Sequence, residues 1–487
     1  MLKQINLLNY KSYDDRDVPL KPITLLCGRN SSGKTAIIKS ILLLKQSFEA
    51  TGNNYLLLNG IYTNNGVFEN VRNHTSIESS KAGMGLSVTF SIDNRNPAFK
   101  ELCRSIGMVS KRNVFSKFDI CASFQFKQDK TLPQVALIES STIELTSEYS
   151  NESYGKNEKI VHSIISMRSY DTGNQRYDIL LENFPTPLYN NQGGYPFIYT
   201  NHNWKNCFCY FRGMQLVSLY KDNLSKKSTS ALPVLYTIFR ILATEFNKIE
   251  YLGPLREMPL RQYFVQDIYS NIGVRGENTA QYLGQLGNKT IDIPIPNDTN
   301  TQFLGLQEAV SMWAEQLGLG TVHATSTDIP GAKVTQIIIE QQNIADVGFG
   351  VSQVLPILVE GLAMTKGNTL ILEQPEIHLH PKMQMDMADF LIAIARQGKH
   401  LIIETHSDHI INRMVRRAVE DKSLRDMLGI YFVEKNQWSC SELTEVCIDE
   451  DIGIDKAPQG FFDQYASESE LILHAGYRNI MKKRGNQ

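Results

Sequence analysis

The sequence lacks any apolar stretch close to the roughly 20 residues that a helix needs to cross a bilayer. Its opening, MLKQINLLNYKSYDD, also lacks the long apolar segment and small-residue cleavage site of a signal peptide. Charge of one sign does not dominate, because 49 Lys and Arg stand against 51 Asp and Glu. This balance excludes a protein that coats nucleic acid by bulk charge. We therefore expect a soluble, cytoplasmic protein with no membrane contact.

Cysteine is also scarce, with seven residues scattered over 487. An odd, scattered set predicts reduced thiols rather than a disulfide framework. No sustained heptad repeat is present, which excludes long coiled-coil arms. The hydrophobic fraction of 42% is that of an ordinary globular protein, so we expect a substantial core. The length predicts two to four domains, or one large elaborated domain.

A phosphate-binding motif is present near the start of the chain. The segment GRNSSGKT, which runs from Gly28 to Thr35, fits the pattern G-x-x-x-x-G-K-[ST]. It follows a short apolar strand at 23–26 and precedes a helix-forming segment at 36–46. Backbone N–H groups of such a loop surround phosphate oxygens, lysine contacts the terminal phosphates and threonine binds Mg²⁺. The predicted nucleotide-binding residues are Gly28, Arg29, Asn30, Ser31, Ser32, Gly33, Lys34, Thr35 and Ala36.

A second short apolar strand, LIL at 370–372, is followed at once by Glu373, Gln374, Pro375 and Glu376. Such a run predicts a buried parallel strand with an acid at its carboxyl end, where α/β sheets hold ligands. An acid at this place completes the metal site of P-loop proteins. We therefore predict that Thr35 and Glu373 hold Mg²⁺.

A third strand, at 399–404, ends near His406. A helix at 381–397 joins it to the previous strand, which predicts two parallel neighbours with His406 beside Glu373. There an imidazole could reach a γ-phosphate or the attacking water. Upstream, the segment GFGVSQ begins another helix, whose N-terminus could hold an anionic oxygen or could be an ordinary capped helix end. Its candidate residues are Gly348, Gly350, Ser352 and Gln353.

In this order, the four elements resemble the ABC-type AAA ATPases of the SMC, RecF and OLD group. GRNSSGKT resembles the Walker A motif, GFGVSQ the signature motif, LILEQPEIHLHP the Walker B motif and D-loop, and ETHSDHI the switch-histidine loop. The segments EYLGPLREMPLRQY and DIGIDKAPQGFFDQ are similar to a prokaryotic single-chain subfamily. Members of this subfamily often lie in loci for defence against phage or for DNA maintenance.

The resemblance implies a homodimer, or a larger assembly, in which ATP on Lys34 of one subunit is sealed by the signature helix of the other. It also implies a catalytic base directly after the Walker B acid, where this chain has Gln374. An amide cannot accept a proton at neutral pH, which predicts that hydrolysis is slow or is served by another group, for which Glu376 and His406 are the candidates. Alternatively, Gln374 orients water well enough for ordinary turnover, as glutamine does in some GTPases.

The predicted fold is an α/β ABC-type ATPase head with a mixed or parallel P-loop sheet and a flanking antiparallel sheet. We divide the chain into a head at 1–205 and 246–435, a helical insertion at 206–245 and a small extension at 436–487. We expect no built-in nuclease, so an effector or nuclease would be a separate chain. Rival functions are a repair ATPase that clamps DNA directly, a nuclease, and a non-hydrolysing scaffold that stores ATP.

Overall fold

The structure is a computed structural model. It describes residues 1–51, 55–74, 83–105, 113–129, 132–151, 159–171, 176–187, 197–220, 232–296, 298, 300–455, 457–458, 461, 472 and 474.

The described residues form strands and helices that alternate along much of the chain. The strands are β1 Leu2–Tyr10, β2 Tyr13–Pro19, β3 Ile23–Gly28, β4 Tyr55–Leu57, β5 Met84–Asp93, β6 Asn113–Gln128, β7 Val135–Asn151, β8 Lys159–Asp171, β9 Arg176–Pro187, β10 Phe197–Arg212, β11 Gln215–Tyr220, β12 Ile249–Leu252, β13 Tyr263–Val265, β14 Thr290–Pro294, β15 Thr301–Gly305, β16 Val322–Ile329, β17 Ala332–Ile339, β18 Gln342–Asn343, β19 Thr369–Glu373, β20 His400–Glu404, β21 Leu428–Lys435, β22 Ser441–Glu445, β23 Ile448–Asp449 and β24 Gly453–Ile454. The helices are α1 Lys34–Glu49, α2 Pro97–Ser105, α3 Leu232–Asn247, α4 Thr279–Leu286, α5 Leu306–Gln316, α6 Phe349–Ala363, α7 Pro381–Arg396, α8 Asp408–Glu420 and α9 Lys422–Met427, with a 3₁₀ turn at Phe68–Asn70.

A six-stranded sheet in the order β12-β19-β20-β3-β21-β22 lies at the centre of the molecule. Its first five strands are parallel, and only β22 runs antiparallel to its neighbour. The carboxyl ends of β3, β20 and β19 therefore meet at one edge of the sheet. Each of these strands connects to a helix, α1, α8 and α7 respectively, as α/β topology requires.

The side chains of the central strands alternate between two hydrophobic cores. On β19, Ile371 belongs to one core, whereas Leu370 and Leu372 belong to the other. The same alternation places Leu26 of β3 in the first core and Leu25 in the second. Strands that are buried on both faces consist of continuous apolar runs. The burial of residues 370–372 in both cores confirms the predicted buried parallel strand.

The first core fills the space between the central sheet and a large antiparallel sheet. That sheet has the order β11-β10-β9-β8-β7-β6-β5-β1-β2, with β4 added beside β7. Helices α1 and α3 pack against each other, and residues from both belong to this core. The second core contains residues of α4 to α8 on the other face of the central sheet. The predicted α/β fold with a flanking antiparallel sheet is confirmed.

The structure corrects part of the predicted helical insertion at 206–245. Residues up to Arg212 continue β10, and β11 pairs with it antiparallel, so 206–220 extend the large sheet. Alternating burial of Cys207, Cys209 and Phe211 shows why a strand forms there, because this period of two suits a sheet face. Residues 221–231 of the insertion lie outside the described part. Helix α3 begins at Leu232, and Pro233 occupies its first turn, where proline is tolerated.

Two small sheets form the lobe between β12 and α6. Strands β13, β17 and β16 make one sheet, with β18 beside β17, and the hairpin β14–β15 makes the other. Of the extension at 436–487, β22 joins the central sheet, and most residues after 455 lie outside the described part. In the described residues, no helix has the length and apolar character needed to span a membrane.

Candidate nucleotide-binding site

The loop between β3 and α1 has a backbone that only glycine permits at two positions. Gly28 has φ 135° and Gly33 has φ 119°, values that other residues rarely adopt. A Cβ on Gly28 would lie 2.1 Å from the carbonyl oxygen of Val433, and one on Gly33 would lie 2.4 Å from Ser441 Oγ. Ser32 Oγ is buried with no hydrogen-bond partner in the described structure. A buried hydroxyl without a partner suits a loop that receives an oxygen-rich ligand.

Lys34 and Thr35, the first residues of α1, both face an acid at the end of β20. Thr35 Oγ1 donates to the carboxylate of Glu404, at 2.9 Å from Oε1 and 2.8 Å from Oε2. Lys34 Nζ lies 4.0 Å from Glu404 Oε1 and donates to the carbonyl oxygens of Gly28 and Arg29. Burial lowers the pKa of Lys34, and the charge of Glu404 opposes that shift. The loop thus presents a buried ammonium and a hydroxyl at the carboxyl edge of the sheet.

Glu373 ends β19 and stands directly opposite Glu404 in the parallel register. Its Oε1 accepts a 2.8 Å hydrogen bond from the hydroxyl of Tyr251, which projects from the neighbouring β12. Burial raises the pKa of Glu373, while the Tyr251 hydroxyl lowers it. The structure therefore brings three predicted elements, namely the P-loop and the ends of β19 and β20, to one edge. It places Glu404, rather than Glu373, in direct contact with Thr35.

Arg256 holds the backbone of the segment that follows Glu373. Its side chain is 3% exposed, Nη2 donates to the carbonyl oxygen of Glu373 at 2.9 Å, and Nη1 donates to that of Gln374 at 3.1 Å. Gln374 has φ 48°, and its N–H donates to the carbonyl oxygen of Glu404 at 2.7 Å. A left-handed glutamine persists only where its surroundings hold it. Three hydrogen bonds therefore fix the position that follows the strand-end acid.

Glu376 anchors the loop that carries His406. Its Oε1 accepts from the backbone N–H of His406 at 2.6 Å, and its Oε2 accepts from Thr405 Oγ1 at 2.9 Å. Ser407 then caps α8 by accepting from the N–H of Ile410. Burial lowers the pKa of His406, and the positive charge of Lys34 lowers it further, so the imidazole is neutral at pH 7.

A family model described as an AAA ATPase domain matches residues 1–249 and 287–411. The chain belongs to the AAA ATPase domain family. No curated protein matches the sequence.

Three solved structures are similar to the chain at low sequence identity. The chain is similar to the SmcHead bound to the C-winged helix domain of ScpA, with 10% identity, 92% of this chain and 98% of that chain covered, and a TM-score of 0.35. It is similar to the SMC head domain from Thermotoga maritima, with 9% identity, 91% and 98% covered, and a TM-score of 0.35. It is also similar to the Smc head domain with an extended coiled coil bound to the C-terminal domain of ScpA derived from Pyrococcus furiosus, with 8% identity, 92% and 96% covered, and a TM-score of 0.32.

The residues of this AAA ATPase domain suit Mg²⁺ bound together with a nucleotide. Burial raises the pKa of Glu404 to about 7, and the negative charges of Glu373 and Glu376 contribute to that shift. A divalent cation would offset the negative charge that raises this pKa. In the described residues no group of three His, Cys, Asp or Glu side chains could hold a metal ion alone. Mg²⁺ needs a smaller protein site, because proteins usually bind it with one or two carboxylates together with phosphate oxygens and water. Thr35, with Glu404 or Glu373, would hold the Mg²⁺ ion. The ion would neutralise negative charge on the phosphates of a bound nucleotide.

The predicted signature residues lie at the start of α6 and contact the loop after Gln374. Gly348 precedes the helix, and the ring of Phe349 stands edge-on to His378 with centroids 4.8 Å apart. Gly350 approaches the His378 carbonyl so closely that a Cβ would lie 2.9 Å from it. Ser352 and Gln353, the other two candidates, are both buried, and Ser352 Oγ donates to the carbonyl oxygen of Phe349. The start of α6 is thus packed on the segment that follows β19.

Sequence reasoning missed three residues of the site, namely Glu404, Tyr251 and Arg256. Glu404 follows the apolar run LII of β20, which is the same strand-then-acid pattern that identified Glu373. That signal was present in the sequence. Tyr251 and Arg256 lie in EYLGPLREMP, where no spacing rule connects them with a strand more than 100 residues later. Only the parallel pairing of β12 with β19 brings them to the site.

Proposed function

We propose that the chain is an ATP-hydrolysing switch that dimerises around Mg-ATP and turns ATP over slowly. The observation that carries this proposal is the meeting of Lys34, Thr35, Glu404 and Glu373 at one sheet edge, with an amide in the next position. The first four groups can bind a triphosphate with its cation. Because position 374 is glutamine, it has no carboxylate that could accept a proton from water.

The contacts around Gln374 favour His406 as the proton acceptor. Both carboxylate oxygens of Glu376 already accept hydrogen bonds from Thr405 and His406, so this acid serves the loop. The neutral imidazole of His406 has a free electron pair on one ring nitrogen and lies on the loop that follows Glu404. In the part of the chain that the structure describes, no carboxylate accepts a hydrogen bond from the His406 ring, which predicts inefficient proton removal. The protein would then stay in its ATP-bound state much longer than an ATPase that has a carboxylate base.

The exposed surface around the start of α6 supports a dimer closed by nucleotide. Gly348 is exposed, a Cβ there would meet nothing within 4 Å, and Phe349 is 38% exposed. The segment 255–268 of the adjoining lobe exposes a group of large apolar side chains, namely Leu255, Met258, Leu260, Phe264 and Ile268. Five large exposed apolar side chains within 14 residues make this segment a candidate protein contact. A ligand shared between two chains shifts the equilibrium towards the dimer, because it binds the closed state better.

The test combines calorimetry with sedimentation. The parent should bind ATP in the presence of Mg²⁺ and become a dimer, whereas Lys34→Ala should lose both properties. Gly348→Arg is the matched control, since it adds a bulky cation at an exposed position and should bind ATP while remaining a monomer. Nucleotide binding by Lys34→Ala equal to that of the parent would refute the proposal.

A partner effector remains a prediction, as does a role in anti-phage defence or DNA maintenance. Both follow from the resemblance of the motifs. If the dimer is the signalling state, an effector should bind the parent with ATP and should not bind Gly348→Arg with ATP.

A further inference from the structure

A second cleft lies beside the P-loop, between the turn that joins β1 to β2 and the turn that joins β21 to β22. It is lined by residues 14–16 at the start of β2, by Asn436, Trp438 and Cys440 of the second turn, and by Ser441. Its volume is about 480 Å³, which lies within the roughly 300–1,000 Å³ range of small-molecule sites. The carboxyl end of β21 precedes this cleft, so it opens at the same edge of the sheet as the phosphate loop.

Direct hydrogen bonds join the walls of the cleft to the P-loop. Ser441 Oγ donates to the carbonyl oxygen of Ser32, and Tyr13 OH donates to that of Gly33 at 3.1 Å. The N–H of Ser441 donates to the carbonyl oxygen of Ser12 at 2.7 Å, which ties the two turns together. The cleft is therefore fixed relative to the loop that would hold phosphates.

Trp438 stands at the rim of the cleft on a rigid turn. Asn436 Oδ1 accepts from the N–H groups of Trp438 at 2.9 Å and Cys440 at 3.1 Å, which shapes the turn. The Trp438 side chain is 71% exposed, whereas the other two tryptophans, Trp204 and Trp313, are 4% and 1% exposed. An exposed aromatic ring on a hydrogen-bonded turn offers an apolar face on which a planar ligand can stack.

The carboxylates of the cleft indicate which polar groups the edge of the planar ligand carries. Asp15 accepts a hydrogen bond from Asn6 Nδ2 at 2.8 Å, and Arg16 forms an ion pair with Glu442 at 3.6 Å. Asp15 and Arg16 therefore already have partners within the chain. Asp14, which is exposed at the start of β2, is the carboxylate that remains to face a ligand. A carboxylate accepts hydrogen bonds from amino groups and is repelled by carbonyl oxygens.

We infer that this cleft receives the base of the nucleotide, with the base stacked on Trp438 and its exocyclic amino group donating to Asp14. The ligand class is a nucleoside triphosphate whose base carries an amino group, such as ATP. This inference rests on the proposed function, because the P-loop must hold the phosphates. It adds the element that distinguishes ATP from a bare polyphosphate.

The test compares ATP, UTP and inorganic tripolyphosphate by calorimetry and tryptophan fluorescence in the full chain. ATP should quench the fluorescence of Trp438, and tripolyphosphate should bind without that quenching. Trp438→Ala should weaken ATP binding about 5- to 150-fold, the range that base stacking on an aromatic ring supplies, and should leave tripolyphosphate binding unchanged. Trp438→Phe should retain most of the affinity without the fluorescence change. Asp14→Asn should reduce the preference for ATP over UTP.

The outcomes separate the two proposals. If ATP binds Trp438→Ala as tightly as the parent, or if tripolyphosphate loses as much affinity as ATP, the inference about the base is wrong and the proposed function stands. If neither ATP nor tripolyphosphate binds the parent, the proposed function fails. Trp438 is exposed, so its replacement leaves both hydrophobic cores intact.

Discussion

Replacing Glu360 with glutamine should stabilise the protein, and the gain should grow with pH. Glu360 lies on α6, the helix that begins at the signature residues, and its side chain is buried. Burial raises the pKa of Glu360 to about 8, the charge of Glu250 on β12 raises it further, and Lys399 opposes both. Lys399 Nζ donates to the carbonyl oxygens of Gly361 and Leu362 near the end of the same helix.

The magnitude follows from the difference between the folded and unfolded pKa values. The unfolded carboxyl has a pKa of 4.5, so the folded state holds its proton more strongly between pH 4.5 and about 8. The contribution of Glu360 to the free energy of unfolding is complete below pH 4.5 and is lost as pH rises through 8. At about 1.4 kcal/mol per pKa unit, the loss is about 3 kcal/mol at pH 7 and about 5 kcal/mol at pH 9. This is a large part of the roughly 5–15 kcal/mol by which proteins are stable.

Urea denaturation of the parent and of Glu360→Gln at several values from pH 5 to 8 measures the effect. This window avoids the titration of Lys399, whose pKa burial lowers to about 8, because that group adds stability only as pH rises above 8. Glu315→Gln, at an exposed position of α5, is the matched control and should follow the parent at every pH. The reasoning fails if the difference between Glu360→Gln and the parent is constant across the window.

Two further changes test the catalytic position. Gln374→Glu supplies a carboxylate where water would be activated, and it should raise the rate of ATP hydrolysis by about 10²-fold or more without tightening ATP binding. A steady-state phosphate-release assay measures this, and an unchanged rate would contradict the proposal that the amide at position 374 makes hydrolysis slow. Arg256→Ala removes the donors to the buried carbonyl oxygen of Glu373 and the partly buried one of Gln374, at a cost of about 1–3 kcal/mol for the buried group, and should lower kcat more than it raises KM. Arg256→Lys should restore stability more fully than kcat, because a single ammonium cannot match two divergent donors; equal recovery would indicate a purely structural arginine.

The parts of the fold that follow local rules could be predicted from the sequence. Residues 370–372 form a doubly buried strand because they are apolar on both faces, and the P-loop spacing requires a strand before it and a helix after it. The antiparallel sheet was visible as alternating runs between residues 84 and 185. For the segment 206–220 the sequence predicts a helical insertion, yet the structure forms strands there. Residues 207–211 are all apolar or aromatic, and the period of two appears only in their burial within the sheet.

The contacts of the site depend instead on which strands become neighbours. The sequence order of the central strands is β3, β12, β19, β20, β21 and β22, whereas their order in the sheet is β12-β19-β20-β3-β21-β22. This arrangement places β20 between β3 and β19. Glu404 therefore stands closer to the phosphate loop in strand order than Glu373, which was predicted as the metal ligand. A motif identifies an acid at a strand end, but the strand order decides which acid reaches Thr35.

The same arrangement links the loop that carries His406 to the proposed catalytic position, Gln374, through hydrogen bonds to the protein backbone. Glu376 holds the N–H of His406, and Glu404 holds the N–H of Gln374, so each loop is anchored by a residue of the other strand. We therefore expect a shift of one loop to move the other. A cation bound to Glu404 and Thr35 would act on both loops at once. Under the proposed function, we expect Gln374 and His378 to connect the bound nucleotide to the start of α6, because Phe349 and Gly350 of that helix pack directly on His378.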